Sequence, residues 1–274
     1  MSEDVIDVGS IDWNRAWQAR NSRRTSPKRG VEFWDGRAAS FAEARAETSY
    51  ATCFLSIVNP QADWTVLDMG CGGGTLAVPL ARSVSSVTAV DVSREMLAVV
   101  RTRCEEEGIS NVMTLQGRWE DDWARLGIGI HDVAIASRSM VGEDLRASIL
   151  KLDQAARKGV YIVTVVGDGP YDRRLFDAIG RPLNSGADYI YSYNMLYQMG
   201  ILANVAFIEE SRNRAYDSPE KAHASVRWMF GELDSAEEER LHTYVRENLV
   251  IRGGCWSFCY DTMIRWAVMW WQKK

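Results

Sequence analysis

Several things are scarce in this chain of 274 residues, and each shortage narrows what it can be. Cysteine is sparse: five residues, scattered at 53, 71, 104, 255 and 259. Cys255 and Cys259 lack a partner Cys or His pair at zinc-ligand spacing, so a metal centre is not expected. Unpaired thiols fit a reducing compartment, and the expected location is the cytoplasm. No apolar run approaches the roughly 18 residues of a membrane span, so no membrane partner is expected. The N-terminus is polar and charged rather than signal-peptide-like. A basic excess is also missing. Lys and Arg number 32 against 37 Asp and Glu, for a net charge of −5 and a pI near 5.4. Nucleic-acid binding would need a basic face, so no nucleic-acid partner is expected. The one basic cluster, Arg20, Arg23, Arg24, Lys28 and Arg29, reads as a solvated arm. There is no internal repeat, and no linker long enough to mark a separate domain. Nothing in the sequence specifies an oligomeric state.

What is present is an ordinary globular composition, 46% hydrophobic and 25% charged, with enough apolar residues for a sizeable core. The chain is organised around Val66-Leu67-Asp68-Met69-Gly70-Cys71-Gly72-Gly73-Gly74-Thr75. Thr65 to Leu67 are β-branched or apolar and read as a buried strand end. Asp68 closes the strand, four glycines follow within five positions, and Leu76 to Ala81 reads as a helix. Glycine is needed where backbone takes positive φ or approaches a ligand closely. The helix start offers free N–H groups. Asp68 sits at the carboxyl end of its strand, where open α/β sheets bind ligands.

Two frames fit this turn. Gly72-x-Gly74-x-x-Ala77 matches the dinucleotide pattern, and Asp68-x-Gly70-x-Gly72-x-Gly74 uses two residues that the first frame leaves idle. Ser86 to Asp91 is a second strand ending in an acid, and Asp91 follows Asp68 by 23 positions. A carboxylate about 20 residues past a glycine turn is placed to accept both ribose hydroxyls. That points to a nucleoside ligand under either frame.

The second frame resembles the first motif of the Rossmann-like, seven-stranded (class I) S-adenosylmethionine-dependent methyltransferases, of the small-molecule type. The resemblance covers residues 60–274 and implies S-adenosylmethionine as cofactor. It implies that Asp68 helps hold the cofactor's amino group and that Gly70, Cys71, Gly72 and Gly74 pack under its methionine part. Asp91 would hold the ribose, and Val92 and Met96 follow it in the cofactor set. After the third strand, Trp119 would stack on adenine and Glu120 or Asp121 would meet its exocyclic amine; Arg118 departs from the family pattern, which is often acidic there. Ser137, at the end of the fourth strand, belongs to the same set. No Asn-Pro-Pro-Tyr signature of amino methylation is present. The implied reaction is in-line transfer of a methyl group to a small or medium-sized acceptor. If the acceptor arrives protonated, Asp168, Tyr171 and Asp172 are the candidate bases. His131 lies at the start of a strand, the wrong end of the sheet for chemistry. The alternatives are an NAD-dependent oxidoreductase using the same crevice and a non-enzymatic S-adenosylmethionine-binding regulator.

The fold class expected is α/β, a doubly wound and mostly parallel seven-stranded sheet with an antiparallel last strand placed between its neighbours. Strands are expected at 65–68, 87–91, 112–115, 133–136, 160–166, 204–208 and 264–271. Residues 1–60 form a helical extension or lid: a mobile start to 10, a helix from 11 to 17, a loop from 20 to 30 containing Pro27, and one amphipathic helix over 38–58. Residues 61–274 form the cofactor domain, with 167–201 and 212–255 as substrate-side insertions. Ser235-x-x-Glu238 has the form of a capping box.

Overall fold

The computed structural model describes residues 8–25, 30–43 and 48–273. Pro27, Lys28, Arg29 and Ala44 lie outside the described residues. The strands are β1 (Thr65–Met69), β2 (Ser86–Asp91), β3 (Val112–Gln116), β4 (His131–Ser137), β5 (Ala156–Val165), β6 (Asn204–Arg212), β7 (Leu249–Arg252), β8 (Cys255–Phe258) and β9 (Thr262–Gln272). Seven of them form one sheet in the order β3-β2-β1-β4-β5-β9-β6. β9 runs antiparallel to both β5 and β6, and the other neighbours within β3 to β5 pair in parallel. This is the expected fold class, with the last strand inserted as expected. The hairpin β7–β8 is a separate two-stranded sheet that the sequence reading did not include.

Alternation along the strands builds two cores. Val66, Val133, Ile135, Tyr161 and Val163 face one side, while Leu67, Ala134, Ala136, Val160 and Ile162 face the other. Because both faces are covered, these strands read as continuous apolar runs rather than alternating ones. The helices are α1 (Trp13–Ser22), α2 (Val31–Asp35), α3 (Ala38–Glu43), α4 (Ser49–Val58), α5 (Ala77–Ala81), α6 (Arg94–Glu106), α7 (Leu145–Gln154), α8 (Arg173–Ile179), α9 (Tyr189–Gln198), α10 (Pro219–Arg227) and α11 (Ser235–Glu247). α4, α5 and α6 cover the first face; α1, α7 and α9 cover the second. A third core joins α8, α10, α11 and the β7–β8 hairpin into a cap.

Three expectations change. The single helix over 38–58 is two segments, α3 and α4, because Thr48 takes extended backbone and its hydroxyl accepts the Ala51 amide as an N-cap. The capping box of α11 lies one residue earlier than expected: Asp234 accepts the Glu237 amide at 2.8 Å, and Glu237 accepts the Asp234 amide at 2.9 Å. Both frames fit the pattern, and the carboxylate of Asp234 is favoured over the Ser235 hydroxyl at a helix N-terminus. The basic arm is partly docked rather than solvated: Arg20 donates to the Gly186 carbonyl and Arg24 to the Tyr171 hydroxyl.

α1 packs directly on the 167–201 insertion. Trp13 meets Tyr191 edge-on at 6.0 Å, and Asn21 accepts the Ala187 amide. Of the four tyrosines in residues 189–197, Tyr189 packs on Phe207, while Tyr193 and Tyr197 are exposed.

Candidate functional site

Gly70, Gly72 and Gly74 all hold left-handed backbone, with φ of 75°, 53° and 81°. A side chain is strained there. At Gly70 a Cβ would also overlap Ser139, and at Gly74 it would meet Val78 at 2.9 Å. The turn is fixed to β2: the Gly70 and Cys71 amides donate to the Val90 carbonyl, and the Gly72 amide donates to Asp91 Oδ2 at 2.8 Å. The other Asp91 oxygen accepts the Ser93 amide at 2.9 Å. Asp91 is thus part of the loop's own scaffold, an engagement the sequence did not disclose. Ser93 caps α6, and its hydroxyl also donates to Asp35 of α2.

Asp68 is 1% exposed, and its Oδ1 has no hydrogen-bond partner. Burial, followed by the neighbouring Asp91, pushes its carboxyl up to about 7, against the pull of Arg138 and the Ala77 amide. Burial likewise raises Asp91, against the amides of Ser93, Gly72 and Val92. Two adjacent buried carboxylates, one with an orphaned oxygen, form a site short of positive charge. A ligand bearing an ammonium and a sulfonium, with ribose hydroxyls to donate, fits that donor and acceptor set. Cys71 lies buried in the turn, where burial pushes its thiol well up, so it is a packing group rather than a thiolate.

The N-terminal segment lies on this turn. Phe41 packs over Gly72 and Gly73, so a Cβ on Gly73 would approach it to 3.0 Å. Arg103 of α6 is buried and donates to the Gly73 carbonyl at 2.6 Å and to the Phe41 carbonyl, tying α3 to the loop. Helix α2 is tied through Asp35 and Ser93.

The remaining expected residues take varied positions. Val92 is half-buried and its carbonyl accepts from Gln116, while Met96 is fully buried in the first turn of α6. Trp119 is buried: its indole donates to the Ser139 carbonyl at 2.7 Å and packs on Trp123 at 5.5 Å. Glu120 is exposed, whereas Asp121 accepts the Arg118 amide. Lys151 holds this loop through the Trp119 and Asp121 carbonyls. Ser137 shares a 2.6 Å hydrogen bond with Tyr50 of α4. Burial raises the Tyr50 hydroxyl, so it stays neutral. Arg138 takes left-handed backbone (φ 60°) and lays its guanidinium over the Tyr50 ring at 4.2 Å and Trp266 at 5.2 Å. Farther out, Asp168 forms a two-pronged ion pair with Arg173 and accepts from Ser185. Asp172 caps α8, pairs with Arg174 and accepts from Thr262. Tyr171 is buried against Phe176 and Trp228.

Tyr50, Arg138, Ser139, Asp35 and Arg103 complete this region; of these, sequence reasoning singles out Arg138, beside Ser137, as a candidate contact to cofactor or substrate, and misses the roles of the other four. Only Ser139 and Arg138 had a signal, as residues just past the fourth strand.

Comparison with known proteins agrees with this geometry. Residues 66–159 match a methyltransferase domain family. An uncharacterized protein of Haemophilus influenzae is 36% identical over 245 residues, which span 87% of this chain and 88% of that protein. The ubiquinone biosynthesis O-methyltransferase of Actinobacillus pleuropneumoniae is 49% identical over 45 residues, and the match spans only 19% of that enzyme. Among solved structures, coclaurine N-methyltransferase bound to N-methylheliamine and S-adenosylhomocysteine superposes with a TM-score of 0.50. That likeness covers 93% of this chain and 86% of the other at 11% identity, and it bears on the fold. The chain belongs to the class I S-adenosylmethionine-dependent methyltransferases.

Proposed function

We propose that this methyltransferase acts on a small or medium-sized acceptor, held at the carboxyl end of the sheet between the α2–α3 segment, Tyr50 of α4 and the cap. The observation that carries this reading is a bridge across the top of that crevice. Arg37, between α2 and α3, lies over the Phe33 ring at 5.9 Å and over Trp228 of the cap at 5.3 Å. Lid and cap therefore meet, and an acceptor under them is enclosed on several sides, as small-molecule sites are. We place residues 8–58 in the role of lid, tied down at Ser93 and Arg103.

S-adenosylmethionine, when bound, supplies a methyl group on a good leaving group. Asp68 and Asp91 are proposed to hold it, with the glycine turn giving close backbone approach. The chain's main contribution is then positioning. Tyr50, buried beside Arg138, and Ser137, half-buried and joined to it by a hydrogen bond, orient the acceptor. Asp168 and Asp172 have both carboxylate oxygens occupied by arginine donors, from Arg173 and Arg174. The reading therefore favours an acceptor that needs no side-chain base from the 168–172 turn. Its test is transfer of labelled methyl from S-adenosylmethionine into cell extract. Label in the low-molecular-weight fraction supports it; label confined to protein or nucleic acid overturns it.

A further inference from the structure

Although the chain is acidic overall, the carboxyl end of its sheet collects positive charge. Arg138 leaves β4, Arg212 ends β6, Arg214 follows it, and Arg37 comes from the lid. β6 runs alongside β5 with β9 between them, so all these positions share one end of the sheet.

Shared neighbours draw the four together. Arg212 and Arg214 line a cavity of about 70 Å³ whose wall includes Trp228 and Ile264. Arg37 stacks on that same Trp228. Arg138 lies over Trp266, whose indole donates to Glu210 at 2.6 Å, and Glu210 is also 3.9 Å from Arg212. Burial lowers Arg212, Glu210 opposes this, and Arg214, Arg138 and Arg37 lower it further. Arg37 is lowered by burial and by Arg214.

Negative charge does not balance the group. Asp172, the carboxylate that lines the cavity, is taken by Arg174. Glu209 is taken by Arg265. Among the described residues, Glu210 is the carboxylate that acts on Arg212, against Arg214, Arg138 and Arg37, while Asp68 is coupled to Arg138. Arg37 and Arg212 are half-buried while Arg138 and Arg214 stay exposed, and crowding like charges around a partly buried guanidinium costs free energy unless something anionic completes it. Guanidinium forks match planar and tetrahedral oxyanions. The aromatic faces of Tyr50, Trp228 and Trp266 suit an apolar body beside the charge.

We propose that the methyl acceptor is an organic anion, and that its carboxylate or phosphate is bound by Arg37, Arg138, Arg212 and Arg214. This rests on the small-molecule reading above. It assigns the arginines to substrate recognition, with Arg138 nearest the cofactor side, since it also acts on Asp68.

The test uses the full chain saturated with S-adenosylhomocysteine, titrated calorimetrically with benzoate, phenyl phosphate and neutral benzyl alcohol. Binding of one or both anions in preference to the alcohol is expected, and the tighter anion identifies the group. The double variant Arg212→Gln with Arg214→Gln should weaken anion binding about tenfold or more. The Arg212→Lys, Arg214→Lys pair, which keeps the charge, should lose less. Affinity for S-adenosylhomocysteine should change by less than about twofold, as the cavity is not the cofactor site. Failure of both anions to bind, or equal binding by the alcohol or by the glutamine variant, overturns the proposal. Those outcomes with intact S-adenosylhomocysteine binding leave the methyltransferase reading standing. A chain that binds neither S-adenosylhomocysteine nor the anions takes down both.

Discussion

Replacing Asp68 by asparagine should make the ligand-free protein more stable and its cofactor binding weaker. The carboxyl is buried, is orphaned at Oδ1 and is raised from 3.8 to about 7, first by burial and then by Asp91. A carboxyl raised in the folded state contributes stability that is fully present below its unfolded value and is lost as pH rises through its folded value. Here the loss spans about pH 4 to 7. A shift of about three units at 1.36 kcal/mol each sets an upper bound of about 4 kcal/mol at pH 8. Coupling to Asp91 reduces this, so about 2–4 kcal/mol is expected. Asp68→Asn removes that penalty and should raise the apo melting temperature by roughly 5–10 °C at pH 8. The gap should shrink steadily toward pH 5. In calorimetry at pH 8 the same variant should bind S-adenosylhomocysteine about 10- to 150-fold more weakly, because a charge-assisted contact is lost. Thermal melts at both pH values and the titration together decide the matter. A variant that is no more stable than wild type at pH 8, or that binds as tightly, refutes the reasoning.

Other expectations follow from single contacts. Gly70→Ala combines left-handed backbone with overlap on Ser139, and should cost about 1–3 kcal/mol or more in denaturant unfolding. Asp91→Ala should weaken cofactor binding by about 1.5–3 kcal/mol, and it should speed hydrogen exchange at Gly72 and Ser93, whose amides lose their acceptor. Unchanged exchange with unchanged affinity would remove Asp91 from both roles. Arg103→Ala should release α3 from the glycine turn, seen as faster proteolysis within residues 30–60 and weaker cofactor binding; unaltered cleavage would show that Phe41 alone holds the segment.

The parallel core of this fold was legible because Val66–Asp68 and Val87–Asp91 are apolar runs closed by acids, and the glycines between them mark a turn with the positive φ that other residues rarely adopt. Asp234 against Ser235 was not decidable, because two overlapping frames satisfy one pattern. The β7–β8 hairpin escaped notice because Gly253-Gly254 marks its turn between two strands of only four residues each. The arginine cluster was invisible for a different reason. Arg37, Arg138, Arg212 and Arg214 sit far apart in sequence and meet only through the sheet's crossover order, and net charge averages them away. Asp168 and Asp172 looked like candidate bases because a turn after a central strand is where chemistry happens; Arg173 and Arg174 engage them within the same short stretch. Tyr50 carried no motif and shows its place only once α4 packs beside Ser137.

The central claim is that the glycine turn with Asp68 and Asp91 holds a sulfonium nucleoside rather than a nicotinamide dinucleotide. Calorimetric titration of the full chain with S-adenosylmethionine, S-adenosylhomocysteine and NAD tests it directly. The account expects saturable binding of the first two, each lost in Asp68→Asn with Asp91→Ala, and no heat from NAD. Saturable NAD binding with no response to either sulfur ligand would contradict it.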